Sequence, residues 1–458
     1  MKVIICGAGQ VGYAIARQLA AEQNDVTVLE QDLALVQRIN DTLNARGMQG
    51  FASHPDALEQ AGAADADMLI AVTFADEVNM VACQVAHSLF NVPTKIARVR
   101  HQSYLMPAWR DLYTRSHLPI DVIISPELEV GRAVLRRLEL PGAFDNIPFV
   151  GDKVRVVGVT TLPETPIVGS PLRHLTGLFP DLSITVLGIG RGERLLVPSA
   201  DDQVLAGDEV YFAADSQHIS RALSLMGHEE KEARRVIVVG GGNIGGHIAR
   251  QLEQKGSPVR AKLIELDRGR AERMAEQLDR TVVLQGSALD QEVLKEANVQ
   301  QSEAFVAVTN DDEVNILASL LAKRSGCKRV IALVNNVAFM PLVTPLGIDA
   351  AVNPRATTVS SILQHVRRGS IRRVHSLRDG AAEVIEAEAL ETSGFIDKPL
   401  RAVQLPHGIN VGAIVREDKV IMPRADSVIE VGDRVIIFAL AEQVRKVEKL
   451  FAVRLEFF

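Results

Sequence analysis

The sequence predicts an α/β protein made of two tandem modules, each with a doubly wound parallel sheet followed by a small α+β domain. Two observations support this fold class. The chain repeats itself in order, and each repeat begins with short β-branched runs that alternate with segments of helical periodicity. The hydrophobic fraction of 47% and the charged fraction of 23% are ordinary for a globular protein. A chain of 458 residues is therefore long enough for several domains of about 150 residues each.

The internal repeat is visible in two long matches and several shorter ones. VIICGAGQVG at Val3–Gly12 returns as VIVVGGGNIG at Val236–Gly245. TFADEVN at Thr73–Asn79 returns as TNDDEVN at Thr309–Asn315. The shorter matches keep the same order and end with LAGDEV in the first copy and EVGDRV in the second. Because order and spacing are kept, the chain is a duplication of a unit of about 230 residues.

Each unit divides into a larger and a smaller domain. The larger domain alternates strand-like runs, such as VIIC, DVTVLE and TKIARV, with helical segments, which is typical of parallel βαβ units. It closes with a helix that Ser125 and Pro126 begin in the first copy, and Asn353 and Pro354 in the second. The smaller domain is rich in short strands and turns. We expect the larger domains at residues 1–140 and 235–369, and the smaller domains at 141–227 and 370–458.

A glycine-rich turn follows the first strand of each larger domain. In the first copy, Gly7 permits the tight turn, Gly9 lets the backbone approach a pyrophosphate, and Gly12 lets the next helix pack closely on the strand. That helix is expected from Gln10 to Ala21 and offers the positive end of its dipole to phosphate groups. The larger domains are therefore predicted to be Rossmann-like doubly wound parallel sheets that bind a nucleotide.

An acidic residue completes each predicted nucleotide site. Glu30 and Glu265 end the second strands of the two copies, where a Rossmann fold places the carboxylate that binds an adenosine ribose. Both carboxylates would repel a 2′-phosphate, so NAD(H) or another adenosine ligand is favoured over NADP(H). The residues predicted on this basis are Gly7, Ala8, Gly9, Gln10, Val11, Gly12 and Glu30 in the first copy, and Gly240, Gly241, Gly242, Asn243, Ile244, Gly245 and Glu265 in the second.

Three further residues are candidates for the ligand-binding edge of the sheets. Thr73 and Thr309 follow the fourth strands, at the carboxyl edge where such sheets bind ligands. The same segments, TFAD and TNDD, equally fit capping boxes that begin the next helix. Arg98 ends the fifth strand, where it either contacts the adenosine or a phosphate, or is an ordinary surface or ion-paired arginine. Leu333 stands at the equivalent position, so any such contact is not shared by the second site.

Neither a catalytic site nor a metal site is predicted. The sequence has no Tyr-x-x-x-Lys pair, which argues against hydride transfer. It also has no HExxH motif, which argues against metal-dependent hydrolysis. Cys6, Cys83 and Cys327 lie far apart among apolar residues and are expected to be buried thiols. With 50 basic and 57 acidic residues, the net charge of −7 argues against nucleic-acid binding. The longest charge-free run, residues 330–348, contains two prolines and is not expected to cross a membrane.

The whole chain resembles the RCK family (regulators of potassium conductance, also called KTN proteins). A module of that family pairs a TrkA-N Rossmann domain with a TrkA-C domain, so the small domains are expected to be TrkA-C-like. The resemblance rests on GAGQVG and GGGNIG, on the TxxDEVN segments, on the SPE segment at Ser125, and on the LAGDEV and EVGDRV turns. Two modules in tandem closely resemble the TrkA-type cytosolic subunits of bacterial Trk potassium uptake systems.

This resemblance implies a regulatory protein rather than an enzyme. It implies NAD(H) as the ligand of both Rossmann sites, with ADP or ATP as alternatives at the same sites. It further implies a homo-oligomer, a tetramer of tandem modules, on the cytoplasmic face of the inner membrane. There, ligand-driven rearrangement of a cytosolic ring would gate a potassium-translocating subunit of the TrkH/TrkG type. Some relatives carry an arginine in the glycine turn, whereas Gln10 and Asn243 stand there in this chain, which argues against a strong triphosphate preference.

Two other functions stay open at this point. An NAD-dependent oxidoreductase would share the Rossmann sites, but it would also need the proton-transferring pair that the sequence lacks. A regulator of a different ion channel or transporter would bind the same nucleotides.

Overall fold

The chain folds into two compact units, each built from one half of every module. The computed structural model describes residues 1–140, 142–174, 183–192, 194–228, 233–254, 256–366, 371–403 and 405–451. The first unit joins the two larger domains, Met1–Val134 and Arg234–Val366. The second unit joins the two smaller domains, Leu135–Ala233 and Arg367–Phe458.

The first larger domain is a parallel sheet covered by helices. Its strands are β1 (Lys2–Cys6), β2 (Asp25–Glu30), β3 (Arg46–Gln49), β4 (Met68–Ala71), β5 (Thr94–Arg98) and β6 (Val122–Ile124). Its helices are α1 (Gln10–Ala21), α2 (Leu33–Thr42), α3 (Pro55–Gln60), α4 (Asp76–Phe90) and α5 (Pro126–Glu139). The strand order is β3-β2-β1-β4-β5-β6, with all neighbours parallel. The strand order reverses between β1 and β4, and at such a point an open α/β sheet binds its ligand.

The first smaller domain is an antiparallel sheet with a short helix. Its strands are β7 (Ala143–Phe149), β8 (Val154–Thr160), β9 (Ile184–Arg191), β10 (Arg194–Leu196) and β11 (Glu209–Asp215), and the helix is α6 (Ile219–Leu225). The strand order is β10-β9-β11-β8-β7. Ile219 and Leu223 of the helix share a hydrophobic core with Val159 and Phe212 of the sheet, which fixes the helix on one face.

The second larger domain repeats the topology of the first. Its strands are β12 (Arg235–Val239), β13 (Arg260–Glu265), β14 (Val282–Gln285), β15 (Ala304–Ala307), β16 (Arg329–Leu333) and β17 (Ala350–Val352). Its helices are α7 (Asn243–Leu252), α8 (Arg268–Gln277), α9 (Gln291–Glu296), α10 (Asp312–Arg324), α11 (Met340–Val343) and α12 (Pro354–Leu363). The order β14-β13-β12-β15-β16-β17 is again wholly parallel.

The second smaller domain repeats the antiparallel sheet. It contains β18 (Ile371–Leu377), β19 (Ala382–Glu388), β20 (Ile409–Arg416), β21 (Lys419–Ile421), β22 (Arg434–Leu440) and helix α13 (Val444–Leu450). The strand order is β18-β19-β22-β20-β21. The predicted fold class of two tandem modules, each with a parallel and an antiparallel domain, is therefore confirmed. Within the described residues, no helix is both long and apolar enough to cross a lipid bilayer.

The two larger domains are held together by their closing helices. Val359 and Ile362 of α12, in the second domain, lie in the same hydrophobic core as Ile15 and Leu19 of the first. In return, α5 of the first domain approaches the second so closely that a Cβ atom on Gly131 would lie 2.5 Å from the His247 ring. Each closing helix thus packs against the other larger domain, and the two domains form one packed unit.

The two smaller domains share a core in a comparable way. Phe149 and Tyr211 of the first sheet pack with Val384 and Phe438 of the second. Polar contacts also cross between the sheets: Asn410 donates to the Val186 carbonyl at 3.0 Å. Burial of apolar surface on both sheets is the main stabilising term for such a pair.

Candidate nucleotide sites

Both glycine turns have the geometry that the sequence predicts. Gly7 and Gly240 adopt φ angles of +105° and +96°, in the region that favours glycine. A Cβ atom on Gly12 would overlap the carbonyl oxygen of Gly7, so only glycine lets α1 pack this closely on the turn. Gly245 stands in the same relation to Gly240. Backbone conformation and close packing therefore favour glycine at these positions of both turns.

The side of each turn that would face a ligand is open. A Cβ atom on Gly9 or on Gly242 would meet no atom within 4 Å among the described residues. These two glycines are also the N-caps of α1 and α7, and neither helix start has a side-chain capping bond. In contrast, the side chain of Asp32 caps α2 by accepting from the Ala34 amide. The first-turn amides and the helix dipole at the two glycine turns are thus available to a phosphate.

The predicted acids lie beside these turns and brace them. The Glu30 carboxylate accepts from the Ala8 amide at 2.7 Å and from the amides of Gln31 and Asp32 at 2.8 and 3.1 Å. Glu265 accepts from the Gly241 amide at 2.6 Å and from the Asp267 amide at 2.8 Å. A carboxylate at the end of the second strand, next to the glycine turn, is placed as an acceptor for ribose hydroxyls.

The two acids differ in their surroundings. Glu265 is only 4% exposed and has Arg270 at 3.6 Å, whereas Glu30 is half-buried. A ligand at the second site would therefore meet a carboxylate that is already partly balanced by a guanidinium.

Thr73 and Thr309 lie at the carboxyl edge, but they do not begin the following helices. The Thr73 amide and hydroxyl both donate to the Asn79 side-chain oxygen, at 2.8 and 2.7 Å. Helix α4 begins at Asp76 after Ala75, without a side-chain capping bond, and α10 is capped by Asp311, which accepts from Val314. The capping-box interpretation is therefore wrong, because the threonine hydroxyls are already bonded to an asparagine further along the helix.

Asn79 and Asn315 are structural residues that the sequence analysis missed. Both are fully buried. Asn79 donates to the carbonyls of Thr73 and Arg98, at 3.1 and 2.9 Å, and so joins the ends of β4 and β5. Asn315 makes the same bonds to Thr309 and Leu333. The signal was present in the sequence, since the repeated segments TFADEVN and TNDDEVN both end in this asparagine.

Two buried aspartates hold the loops that follow the fifth strands. Asp76 accepts from the amides of Arg100 and His101, the closest at 2.8 Å. Asp312 accepts from the amides of Asn335 and Asn336, at 2.9 and 2.7 Å. These bonds fix the backbone that directly follows the fifth strand of each larger domain. The sequence analysis did not predict them.

A cavity of about 1640 Å³ opens at the carboxyl edge of the second larger domain. Six of its lining residues are predicted site residues of the second copy: Gly240, Gly242, Asn243, Ile244, Glu265 and Thr309. Three predicted residues of the first copy, Gln10, Val11 and Arg98, line the same cavity. The other predicted residues, which do not line it, are Gly7, Ala8, Gly9, Gly12, Glu30, Thr73, Gly241 and Gly245. The cavity thus belongs to both larger domains.

Arg98 is half-buried in this region and takes part in no ion pair with the described residues. Its Nη2 donates to the Thr73 carbonyl at 2.7 Å, while its buried Nε has no partner among the described residues. Burial and the nearby Arg100 both lower the pKa of Arg98. The carboxylates of Asp76 and Glu127 oppose this shift, and a phosphate contact by Arg98 stays a prediction.

The three cysteines are buried and free, as predicted. Burial raises the pKa of the Cys6 thiol to about 12. Across the described part of the chain, no group of three or more His, Cys, Asp or Glu residues is arranged to hold a metal ion.

Fold and glycine turns together define a protein with two Rossmann-like modules. The TrkA-N domain family matches residues 3–126 and 236–354, and the TrkA-C domain family matches residues 151–227 and 384–452. The chain belongs to the TrkA family.

Close relatives span the whole chain. The "Trk system potassium uptake protein TrkA" of Azorhizobium caulinodans is 53% identical over 458 residues, covering 100% of both chains. The protein of the same name from Halomonas elongata is 45% identical, again over 100% of both chains. These names describe a potassium uptake protein, in agreement with the prediction that the chain is not an enzyme.

Solved structures with the same fold include the RCK domain of GsuK. It has a TM-score of 0.57 and 17% identity, with 99% of this chain and 95% of that chain covered. The "GsuK channel bound to NAD" has a TM-score of 0.59 and 17% identity, with 99% and 79% covered. At this level of identity the likeness concerns the fold alone.

Proposed function

We propose that this chain is the nucleotide-binding regulatory subunit of a potassium uptake system. It binds NAD(H) at its two Rossmann sites and gates a membrane potassium-translocating subunit of the TrkH/TrkG type. The observation that carries this proposal is the pair of glycine turns, each with an open ligand-facing side and an acid beside it, within a chain whose full-length relatives are named potassium uptake proteins.

The residues present fit an adenine dinucleotide. Gly9 and Gly242 leave room for a pyrophosphate next to uncapped helix N-termini. Glu30 and Glu265 accept ribose hydroxyls and disfavour a 2′-phosphate. Thr73, Arg98 and Thr309 are the further residues that we propose for these sites, at the carboxyl edges of the two sheets. ADP or ATP would use the same turns and acids, and the GsuK channel structure named as NAD-bound shares this fold.

Coupling to a partner follows because residues of both larger domains line the same cavity. Because Gln10 and Arg98 of the first domain line one cavity with Gly242 of the second, a ligand there contacts both domains. A ligand favours the arrangement that it binds more tightly, and only by the difference in its affinities. The resulting movement of the larger domains is the signal passed to the membrane subunit.

The proposal includes the assembly and the location of the chain. We propose a homo-oligomer, a tetramer of tandem modules, that binds the cytoplasmic face of the inner membrane through its transporter. The domain boundaries proposed are 1–140, 141–227, 235–369 and 370–458. Co-purification from detergent extracts with a TrkH/TrkG-type subunit is the expected result, and its absence would contradict the proposed partner.

The ligand is tested by calorimetric titration of the purified chain with NADH. Glu30→Arg should abolish binding at the first site and Glu265→Arg at the second, so the double variant should bind none. The matched control is the double variant Glu59→Arg with Glu276→Arg, which reverses two exposed acids away from the turns. Since both site acids brace backbone amides, the unfolding temperature of each variant must be measured as well. Unchanged NADH binding by a folded double variant would overturn the site assignment.

A further inference from the structure

The two proposed ribose sites differ in the first turn of the helix that follows each acid. Leu33 and Leu35 stand in the first turn of α2, which follows Glu30. The equivalent positions in α8 hold Arg268 and Arg270. An arginine near the ribose is the residue with which a Rossmann fold accommodates the 2′-phosphate of NADP.

The acids that cap these two helices are the same, so they do not create the difference. Asp32 accepts from the Ala34 amide at 2.8 Å. Its equivalent, Asp267, accepts from the Arg270 amide at 2.7 Å. Each carboxylate is thus held at the N-terminus of its helix. The pair of guanidinium groups is what distinguishes the second helix turn from the first.

These guanidinium groups are the accessible charges next to the second acid. The Glu265 side chain is 5% exposed, whereas those of Arg268 and Arg270 are 84% and 47% exposed. Both arginines line the cavity together with Glu265. In the first domain, the acid is half-buried and Leu33 beside it is exposed. A phosphate at the second ribose therefore meets two guanidinium groups, and at the first it meets a carboxylate and an apolar side chain.

The present partners of the two arginines are weak competitors for a phosphate. Arg268 pairs with Glu272 at 2.9 Å, but both side chains are exposed, and exposed ion pairs add little free energy. Arg270 lies 3.6 Å from a Glu265 carboxylate whose two oxygens already accept backbone amides. A phosphate dianion offers shorter, charge-assisted hydrogen bonds to both guanidinium groups.

We infer that the second Rossmann site accepts the 2′-phosphate of NADP(H) through Arg268 and Arg270, whereas the first site is selective for NAD(H). This inference rests on the proposed nucleotide-binding function. Both site acids repel a 2′-phosphate, and the two arginines offset that repulsion at the second site. One chain thus carries two dinucleotide sites of different selectivity.

The test uses chains in which one site at a time is blocked by an aspartate in its glycine turn. A Cβ atom on Gly9 or Gly242 meets no described atom within 4 Å, and each glycine stands at a helix N-cap, a position that aspartate favours. The new carboxylate occupies the helix N-terminus and repels the pyrophosphate. Full-length Gly9→Asp protein therefore binds at the second site, and Gly242→Asp protein binds at the first.

Both chains are titrated with NADH and with NADPH by calorimetry, and the Kd for NADPH is divided by the Kd for NADH. This ratio should be about ten- to a hundredfold smaller for Gly9→Asp than for Gly242→Asp, the factor expected for a charge-assisted hydrogen bond. Adding Arg268→Leu and Arg270→Leu to Gly9→Asp installs the residues of the first copy. These substitutions should raise the ratio to that of the first site while NADH binding persists, which shows that the chain is folded.

Arg273→Leu with Arg324→Leu, in the same Gly9→Asp background, is the matched control. It also removes two exposed arginines from the second larger domain, but neither of them lines the cavity, so the ratio should not change. Equal ratios for the two single-site chains would overturn the inference. So would a low ratio that survives Arg268→Leu with Arg270→Leu, or a Gly9→Asp chain that binds neither nucleotide although the wild type binds NADH. If the wild-type chain itself binds no nucleotide, the proposed function fails, and the inference fails with it.

Discussion

Asn79 offers a sharp prediction, because one side chain joins two strands at the ligand-binding edge. Asn79→Ala removes the acceptor of the Thr73 amide, at 2.8 Å, and the donor to the Arg98 carbonyl, at 2.9 Å. Asn79 is fully buried, so water cannot readily replace these bonds. An unsatisfied buried group costs about 1–3 kcal/mol, and two such groups predict a loss of about 3 kcal/mol in the unfolding free energy of the domain.

Hydrogen–deuterium exchange measures this loss where it should occur. The amides of β4 and β5 are in buried strands and exchange only when the domain opens. A loss of about 3 kcal/mol should speed their exchange roughly a hundredfold. Asn315→Ala should do the same in β15 and β16, because its bonds to Thr309 and Leu333 match those of Asn79.

Ser88→Ala is the control for this experiment, since Ser88 lies on the exposed side of the same helix α4. It should leave exchange in β4 and β5 unchanged. If Asn79→Ala were no more damaging than Ser88→Ala, the asparagine would not be the tie between the strands, and the argument from buried bonds would be refuted.

The glycine turns give two further predictions, and the small domains give a third. Gly12→Ala should lower the unfolding temperature, because its Cβ would overlap the Gly7 carbonyl. Gly9→Ala should fold normally, because its Cβ meets no described atom within 4 Å. It should nevertheless weaken NADH binding, because the pyrophosphate must approach the backbone at this glycine. The contrary pattern, a normal Gly12→Ala fold or undiminished NADH binding by Gly9→Ala, would contradict the roles given to these glycines. Burial, and next Arg136, lower the pKa of His375 from 6.5 to about 3. The folded chain therefore binds fewer protons than the unfolded chain between these values, and stability should fall as the pH drops from 6.5 towards 3, by about 1.4 kcal/mol per pH unit. Thermal unfolding of His375→Asn across this range should show a flatter slope than the wild type, and identical slopes would exclude His375 as the cause.

Features encoded over a few residues could be predicted from the sequence. The start of α1 at Gln10, the end of β2 at Glu30 and the asparagine cap of α12 at Asn353 all follow from short local patterns, and the structure has each of them. Because the motifs repeat, the same elements could be predicted in the second module. Local steric and capping rules are enough for elements of this kind.

Features that depend on distant side chains could not be predicted in this way. The bond from Asn79 to the Arg98 carbonyl links residues on different elements, and a capping motif suggested another role for the same segment. That Arg98 lines one cavity with residues of the second glycine turn depends on how the two larger domains pack through α5 and α12. That packing arises from apolar surfaces whose partners the sequence does not name.

Uptake of rubidium or potassium at low external potassium tests the central claim most directly. Cells lacking this gene are compared with cells that regain the wild type, the Glu30→Arg/Glu265→Arg double variant, or the Glu59→Arg/Glu276→Arg control, all at matched protein levels. The account predicts that deletion abolishes high-rate uptake, and that the wild type and the control restore it whereas the double acid variant does not. Full uptake without the gene, or with a folded double acid variant that binds no nucleotide, would contradict nucleotide-regulated potassium transport.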